Sequence, residues 1–189
     1  MMDSVRKIFP KTSYTTKKAT IAQFNTHHSY GKILLLDLHG CKNDTMPLKS
    51  KILFTETGKD SESELTIEEI YNLDLNGIHT IIPACHAGYG KSKKGEGLIS
   101  LARALSYAGS NSLVTTLWKA NDQAALKIET LYLKYLKKGF QKHKALQKAK
   151  QIYLEKNDDG PWFWGNFVLI GNKSALNFKE NKTDSLSRK

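Results

Sequence analysis

The strongest constraint on the fold lies in two short apolar runs that each lead to a reactive side chain. Ile33-Leu34-Leu35-Leu36-Asp37-Leu38 runs into His39-Gly40, and Ile78-His79-Thr80-Ile81-Ile82-Pro83-Ala84 runs into Cys85-His86-Ala87-Gly88. Continuous apolar runs bounded by turn signals suit strands buried on both faces, as in a parallel sheet. Two further runs, 112–118 and 167–171, have the same character. In open α/β sheets, reactive groups and ligands collect just past the carboxyl ends of such strands.

Between the runs the periodicity turns helical. Residues 5–10 read as the last turns of a helix stopped by Pro10, and Thr15 or Thr16 is placed to cap a helix carrying Ala19, Ile21 and Phe24. Residues 40–51 read as irregular, 52–54 as a short strand, and Thr66 with Glu69 as a reciprocal cap on a helical turn. Leu98, Leu101, Ala102, Leu105 and Ala108 recur at helical spacing until Gly109. Asn121 or Asp122 caps a long helix with Ala125, Ile128, Leu131, Tyr132, Tyr135 and Leu136 on one stripe, and a basic helix covers about 142–154. Trp118, Trp162 and Trp164 read as core aromatics. Strands alternating with helices predict a three-layer α/β/α domain with a mainly parallel sheet over residues 1–172, followed by a polar, flexible tail at 173–189. Right-handed crossovers put the ends of the first two main strands on one rim, where His39 and Cys85 can meet.

A chain of 189 residues is long enough to bury a real core. Its two cysteines, Cys41 and Cys85, make no disulfide framework, and neither a secretory leader nor a bilayer-length apolar stretch is evident. The expectation is a soluble, cytoplasmic protein in a reducing compartment, with no membrane contact. Lysine and arginine exceed aspartate and glutamate by 29 to 18, a net charge of +11, much of it between residues 134 and 156. A solvated helix face is the expected reading of that stretch, with a surface for nucleic acid or an acidic partner as the alternative. The stretch lacks the glycine-flanked aromatics of RNA-binding sheets, so nucleic acid is not the expected partner.

Chemically, an imidazole beside a thiol raises the thiolate fraction and can later protonate a leaving amine. Cys85 is thus a candidate nucleophile and His39 its acid/base. Gly40 lets backbone approach a substrate, so its N–H and that of Cys85 are candidate oxyanion donors. Each residue also has an ordinary structural role, a buried thiol and a hydrogen-bonded imidazole. His39, Cys41, Cys85 and His86 match no common zinc spacing, and Gly90-Lys91-Ser92 lacks the glycine a phosphate loop needs at position 85, so neither metal nor cofactor is expected. Asp122 is either a helix cap or an acidic pocket residue that selects a basic side chain.

Ordered blocks along the chain carry a resemblance. They include Leu38-His39-Gly40, Leu65-Thr66-Ile67-Glu68-Glu69-Ile70-Tyr71-Asn72-Leu73-Asp74-Leu75, Ala84-Cys85-His86-Ala87-Gly88-Tyr89-Gly90, Ala104-Leu105-Ser106-Tyr107-Ala108-Gly109, Thr116-Leu117-Trp118-Lys119-Ala120-Asn121-Asp122 and Trp164-Gly165-Asn166-Phe167-Val168-Leu169-Ile170-Gly171. Together they resemble the CHAT domain, a caspase-like family often associated with tetratricopeptide repeats. The resemblance implies a caspase-like fold, cysteine endopeptidase chemistry on a protein or peptide substrate, His39 and Cys85 as catalytic pair, and Pro83, His86 and Asp122 around the substrate. A repeat segment or repeat protein is the implied partner, and a non-catalytic module docked on such repeats is the alternative. The family's usual Ala-Thr-His-Gly is here Asp37-Leu38-His39-Gly40, and its Ser-Ala-Cys-Glu-Thr-Gly is Pro83-Ala84-Cys85-His86-Ala87-Gly88. The family's usual opening strand and helix have no counterpart, which leaves open a sheet without its first strand and a chain that is a fragment.

Overall fold

The computed structural model describes residues 2–10, 19–29, 31–41, 43, 45–55, 63–83 and 96–178. Helix α1 (Met2–Ile8) stops short of Pro10, and α2 (Ile21–His27) is capped by Thr20, whose hydroxyl accepts the Gln23 N–H at 3.2 Å. The cap expected at Thr15 or Thr16 is therefore Thr20 for this helix; residues 11–18 lie outside the described residues. Strands β1 (Ile33–Leu35), β2 (His39–Cys41), β3 (Lys51–Leu53) and β4 (Glu64–Thr66) follow, then the short helix α3 (Ile67–Ile70). Next come β5 (His79–Ile82), α4 (Glu96–Tyr107), β6 (Ser112–Thr116), α5 (Asp122–Lys137), α6 (Lys142–Lys156), α7 (Pro161–Trp164) and β7 (Phe167–Gly171).

The central sheet has the order β1-β5-β6-β7. Strands β1, β5 and β6 are parallel, and β7 returns antiparallel beside β6, with Thr116 opposite Phe167 and Ser112 opposite Gly171. Among the described residues no strand lies outside β1. Every residue of β5 and β6 is buried, as a strand covered on both faces requires. On one face Leu36, Ile78, Ile82 and Leu113 pack with Phe24, Ile70 and Leu105. On the other, Ile81 and Val114 pack with Val5, Ile8, Ile128, Tyr132 and Leu136. Odd and even positions along the strands thus serve opposite layers, giving the three-layer α/β/α architecture. Helix α5 docks through Ile128, Leu133 and Leu136, each at most 2% exposed; such side chains contribute roughly 1.5–3 kcal/mol each.

Two features differ from the sequence expectation. The first apolar run does not continue as one strand to residue 38. Strand β1 ends at Leu35, the Leu36 N–H still bonds to the Ile81 carbonyl at 2.9 Å, and exposed Asp37 breaks the buried run. The chain then enters a separate antiparallel sheet, β2-β3-β4, which replaces the irregular stretch expected at 40–51. Its strands are three residues long, too short to show a period, and Ile52 and Leu65 anchor it to the core. Thr66 ends β4 and caps α3 through the reciprocal bonds foreseen with Glu69.

Helix α4 ends at Tyr107, and Gly109 turns the chain away from it with φ at +98°. A Cβ there would lie 2.6 Å from Asn76 Oδ1, so glycine is required by both conformation and space. At the other end of the domain the stretch to Phe178 is docked. The Lys142 N–H bonds to the Lys173 carbonyl, Leu176 and Phe178 pack on the helical layer, and the Phe178 ring sits 5.2 Å from that of Phe9.

Candidate active site

The carboxyl ends of β1, β5 and β6 face one rim of the domain, and β7 begins on the same rim. Four connections leave or enter there: the 36–39 segment toward β2, Pro83 after β5, the 117–121 turn into α5, and α7 ahead of β7.

His39 is exposed at the first position of β2, opposite Leu53. Its neighbour Gly40 is buried and paired with Ile52. The sequence placed His39 at the end of a central strand; it instead opens the small sheet, four positions past the last residue of β1. Pro83 is buried at the end of β5. Cys85 and His86 lie outside the described residues, as do 88–95 of the glycine-rich loop.

Asp122 occupies the first turn of α5 and is exposed. The cap is Asn121, whose side-chain oxygen accepts the Gln123 and Ala124 N–H groups at 3.1 Å. Of the two roles open to Asp122, capping therefore belongs to its neighbour. A carboxylate in the first turn also suits the positive end of the helix dipole.

Sequence reasoning missed an exposed aromatic patch at this rim and two buried titratable groups, one on α5 and one on β5. Trp162, read as core, is 63% exposed, and Leu117 is 55% exposed. Trp118 stacks on Trp162 with ring centroids 5.1 Å apart. Glu129, on α5, is 3% exposed, and among the described residues its two buried carboxylate oxygens have no hydrogen-bond partner. Burial, aided by the charge of Asp37, raises its pKa to about 8. His79 is fully buried within β5, and desolvation with the nearby Lys142 charge lowers its pKa to about 4. A polar residue inside an apolar run, as at His79, or a carboxylate beside a helix stripe, as at Glu129, is the sequence signal that could have revealed them.

A separate polar recess of about 310 Å³ opens on the small sheet, lined by Cys41, Asn43, Lys49, Lys51, Glu64 and Thr66. Its lysines are engaged, Lys51 with Glu64 and Lys49 with Glu68. Among the described residues no group of three or more histidine, cysteine or acidic side chains is placed to hold a metal ion. No helix among them is long and apolar enough to cross a membrane.

The family model described as the CHAT domain matches residues 2–172 of the 189-residue chain. The chain belongs to the CHAT domain family. That assignment agrees with the α/β/α layering and relates this CHAT domain to the caspase-like peptidases. No curated protein matches the chain.

Proposed function

We propose that this CHAT domain is a cysteine endopeptidase in which His39 assists attack by Cys85 on a peptide carbonyl. The observation that carries the reading is the strand register. β1 and β5 pair in parallel with Ile33 opposite His79 and Leu35 opposite Ile81, so their carboxyl ends, about 4.8 Å apart, leave the sheet at the same level on one rim. In the sequence His39 follows the end of β1 by four residues and Cys85 follows the end of β5 by three, which supports bringing the two together beyond that rim.

In this mechanism His39 takes the thiol proton as Cys85 Sγ bonds to the carbonyl carbon. The oxyanion accepts hydrogen bonds from the Gly40 and Cys85 N–H groups. Collapse breaks the C–N bond, and the His39 imidazolium gives its proton to the departing amine. Water, deprotonated by His39, then adds to the thioester and expels the thiolate, releasing the acid product. Asp122 holds a basic side chain at the residue before the cut, with Pro83 and His86 shaping the surround. A thiol nucleophile needs a reducing setting, which points to the cytoplasm.

Altered flanks favour a second reading. Leu38, Pro83 and His86 replace residues the family usually carries beside the pair, which fits a non-catalytic CHAT module docked on tetratricopeptide repeats. Incubation with a proteome-derived peptide library separates the two. A peptidase generates new N-termini that disappear in Cys85→Ala and His39→Ala; a folded wild type that generates none supports the docking module.

A further inference from the structure

We propose that the end of the domain opposite the candidate active rim binds single-stranded nucleic acid, its phosphates held by lysines of α5 and α6 and a base stacked on Phe140. The site stands apart from the peptidase reading, because α5 starts at the rim and runs away from it for 16 residues, about 24 Å. At the far end α5, α6, α1, the residue ahead of β1 and the 172–178 stretch come together. Lys137 Nζ donates to the Ile8 carbonyl, Lys32 Nζ to the Asn177 carbonyl, and the Lys142 N–H to the Lys173 carbonyl at 3.0 Å.

Charge gathers there with one sign. From residue 130 to residue 154 the sequence holds seven lysines, one histidine and no aspartate or glutamate. Lys134, Lys138, His143 and Lys144 are exposed, as are Lys32 and Lys173 on the adjoining segments. Exposed helices are steadied by carboxylates three or four positions from their cations; the last turns of α5 and the first turns of α6 carry none. Like charges gathered in this way repel one another. Their field reaches the core, where Lys142 disfavours the imidazolium of buried His79. A polyanion laid across this end removes the repulsion.

Chemistry selects the occupant. Protein interfaces are depleted in lysine, whereas phosphate backbones are neutralised by lysine and arginine. The basic stretch holds no glycine-flanked aromatic, yet the fold sets a ring among the cations. Phe140, in the turn between α5 and α6, is 39% exposed, and its ring meets that of Tyr135 edge-on at 5.0 Å. Lys138 Nζ lies 5.1 Å from the Tyr135 ring centroid. An exposed ring beside a row of amines is the pairing that holds single strands, a base on the ring and phosphates on the cations. A duplex keeps its bases stacked on one another. Stable bilayer anchoring adds a broad apolar face to the charge, and Phe140 supplies one ring.

The test titrates fluorescein-labelled oligo(dT) and oligo(rU) with the full chain and reads anisotropy at about 50 and about 200 mM salt. A strand should bind, with affinity falling at least about tenfold between the two salts; the tighter strand names the sugar. The combined variant Lys134→Gln, Lys138→Gln, Lys144→Gln should bind at least about tenfold more weakly, with a shallower salt dependence. Lys134→Arg, Lys138→Arg, Lys144→Arg should keep the affinity. Phe140→Ala should weaken binding about fivefold or more and leave the salt dependence as it is. Lys156→Gln, at the other end of α6, should match wild type. The site is overturned by the lack of saturable binding to either strand at the lower salt, or by unchanged affinity in the glutamine variant or in Phe140→Ala. Tighter binding of the corresponding duplex overturns it as well, and so does binding confined to phosphatidylserine-containing vesicles. Equal loss in the arginine variant marks a structural role, and equal loss in Lys156→Gln marks attraction by net charge; each overturns it too.

Discussion

Tyr132 and His79 meet in the buried seam between α5 and the central sheet, the phenol oxygen 2.9 Å from His79 Nε2. On its other side the ring reaches Ser112, with Nδ1 2.9 Å from the hydroxyl and 3.1 Å from the carbonyl. A carbonyl only accepts, so Nδ1 carries the proton and Tyr132 donates to Nε2. The contact ties the helical layer to the strand that leads to Pro83. Tyr132→Phe leaves a buried imidazole nitrogen unpaired and should cost about 1–3 kcal/mol in urea unfolding.

The same histidine sets an acid limit. Its folded pKa is about 4 against an ordinary 6.5, because desolvation and then the Lys142 charge disfavour the imidazolium. Below pH 6.5 the unfolded chain takes up a proton that the folded chain refuses. Stability from this group is complete above pH 6.5 and falls as pH drops toward 4, by about 3 kcal/mol in all. His79→Gln should remove that slope from unfolding midpoints measured between pH 4 and 6.5.

Glu129 acts with the opposite sign. Burial, then the charge of Asp37, raises its folded pKa from 4.5 to about 8, so the fold holds it protonated while the unfolded chain ionises. Its contribution is complete below pH 4.5 and is lost as pH rises toward 8, on the order of 4 kcal/mol. Between pH 4.5 and 6.5 the slopes of Glu129 and His79 offset each other; above 6.5 the loss from Glu129 stands alone. In Glu129→Gln the decline between pH 6.5 and 8 should flatten, as read by thermal unfolding.

Asn121 caps α5, and the recognition role proposed for its neighbour Asp122 is separable from that cap. Asn121 alone satisfies two N–H groups of α5, so Asn121→Ala should cost about 1 kcal/mol of stability. Asp122→Ala should change stability by less than about 0.5 kcal/mol and lower the preference for lysine or arginine before the cut by about tenfold or more. Denaturant titration and cleavage-site sequencing check the two halves.

Much of the sheet was readable because buried parallel strands are written as continuous apolar runs. His79–Ile82 and Ser112–Thr116 appear where those runs stand, and the Thr66–Glu69 cap and the Ala125–Leu136 stripe follow from local rules that packing did not override. The small sheet was not readable, since His39-Gly40-Cys41 is too short for a period and carries one glycine and no β-branched residue. Asp37 marked the end of β1, yet its charge looked like one polar residue in a longer run. Trp162 read as core because nothing local separates a tryptophan that packs inward from one that stacks on a neighbour at the rim. For the site itself, Pro83 and Asp122 follow the ends of β5 and β6 on one rim as the runs imply, whereas His39 and Gly40 stand in the small sheet, which the sequence did not signal; Cys85 lies outside the described residues.

The most direct measurement exploits the chain having only two thiols, Cys41 and Cys85. Wild type, His39→Ala and Cys85→Ala are treated with a lysine-terminated peptidyl electrophile, and the modified residue is located by mass spectrometry. The peptidase account predicts modification at Cys85, slowed by at least about a hundredfold in His39→Ala and abolished in Cys85→Ala. Modification at Cys41 instead, or an equal rate in His39→Ala, would contradict it.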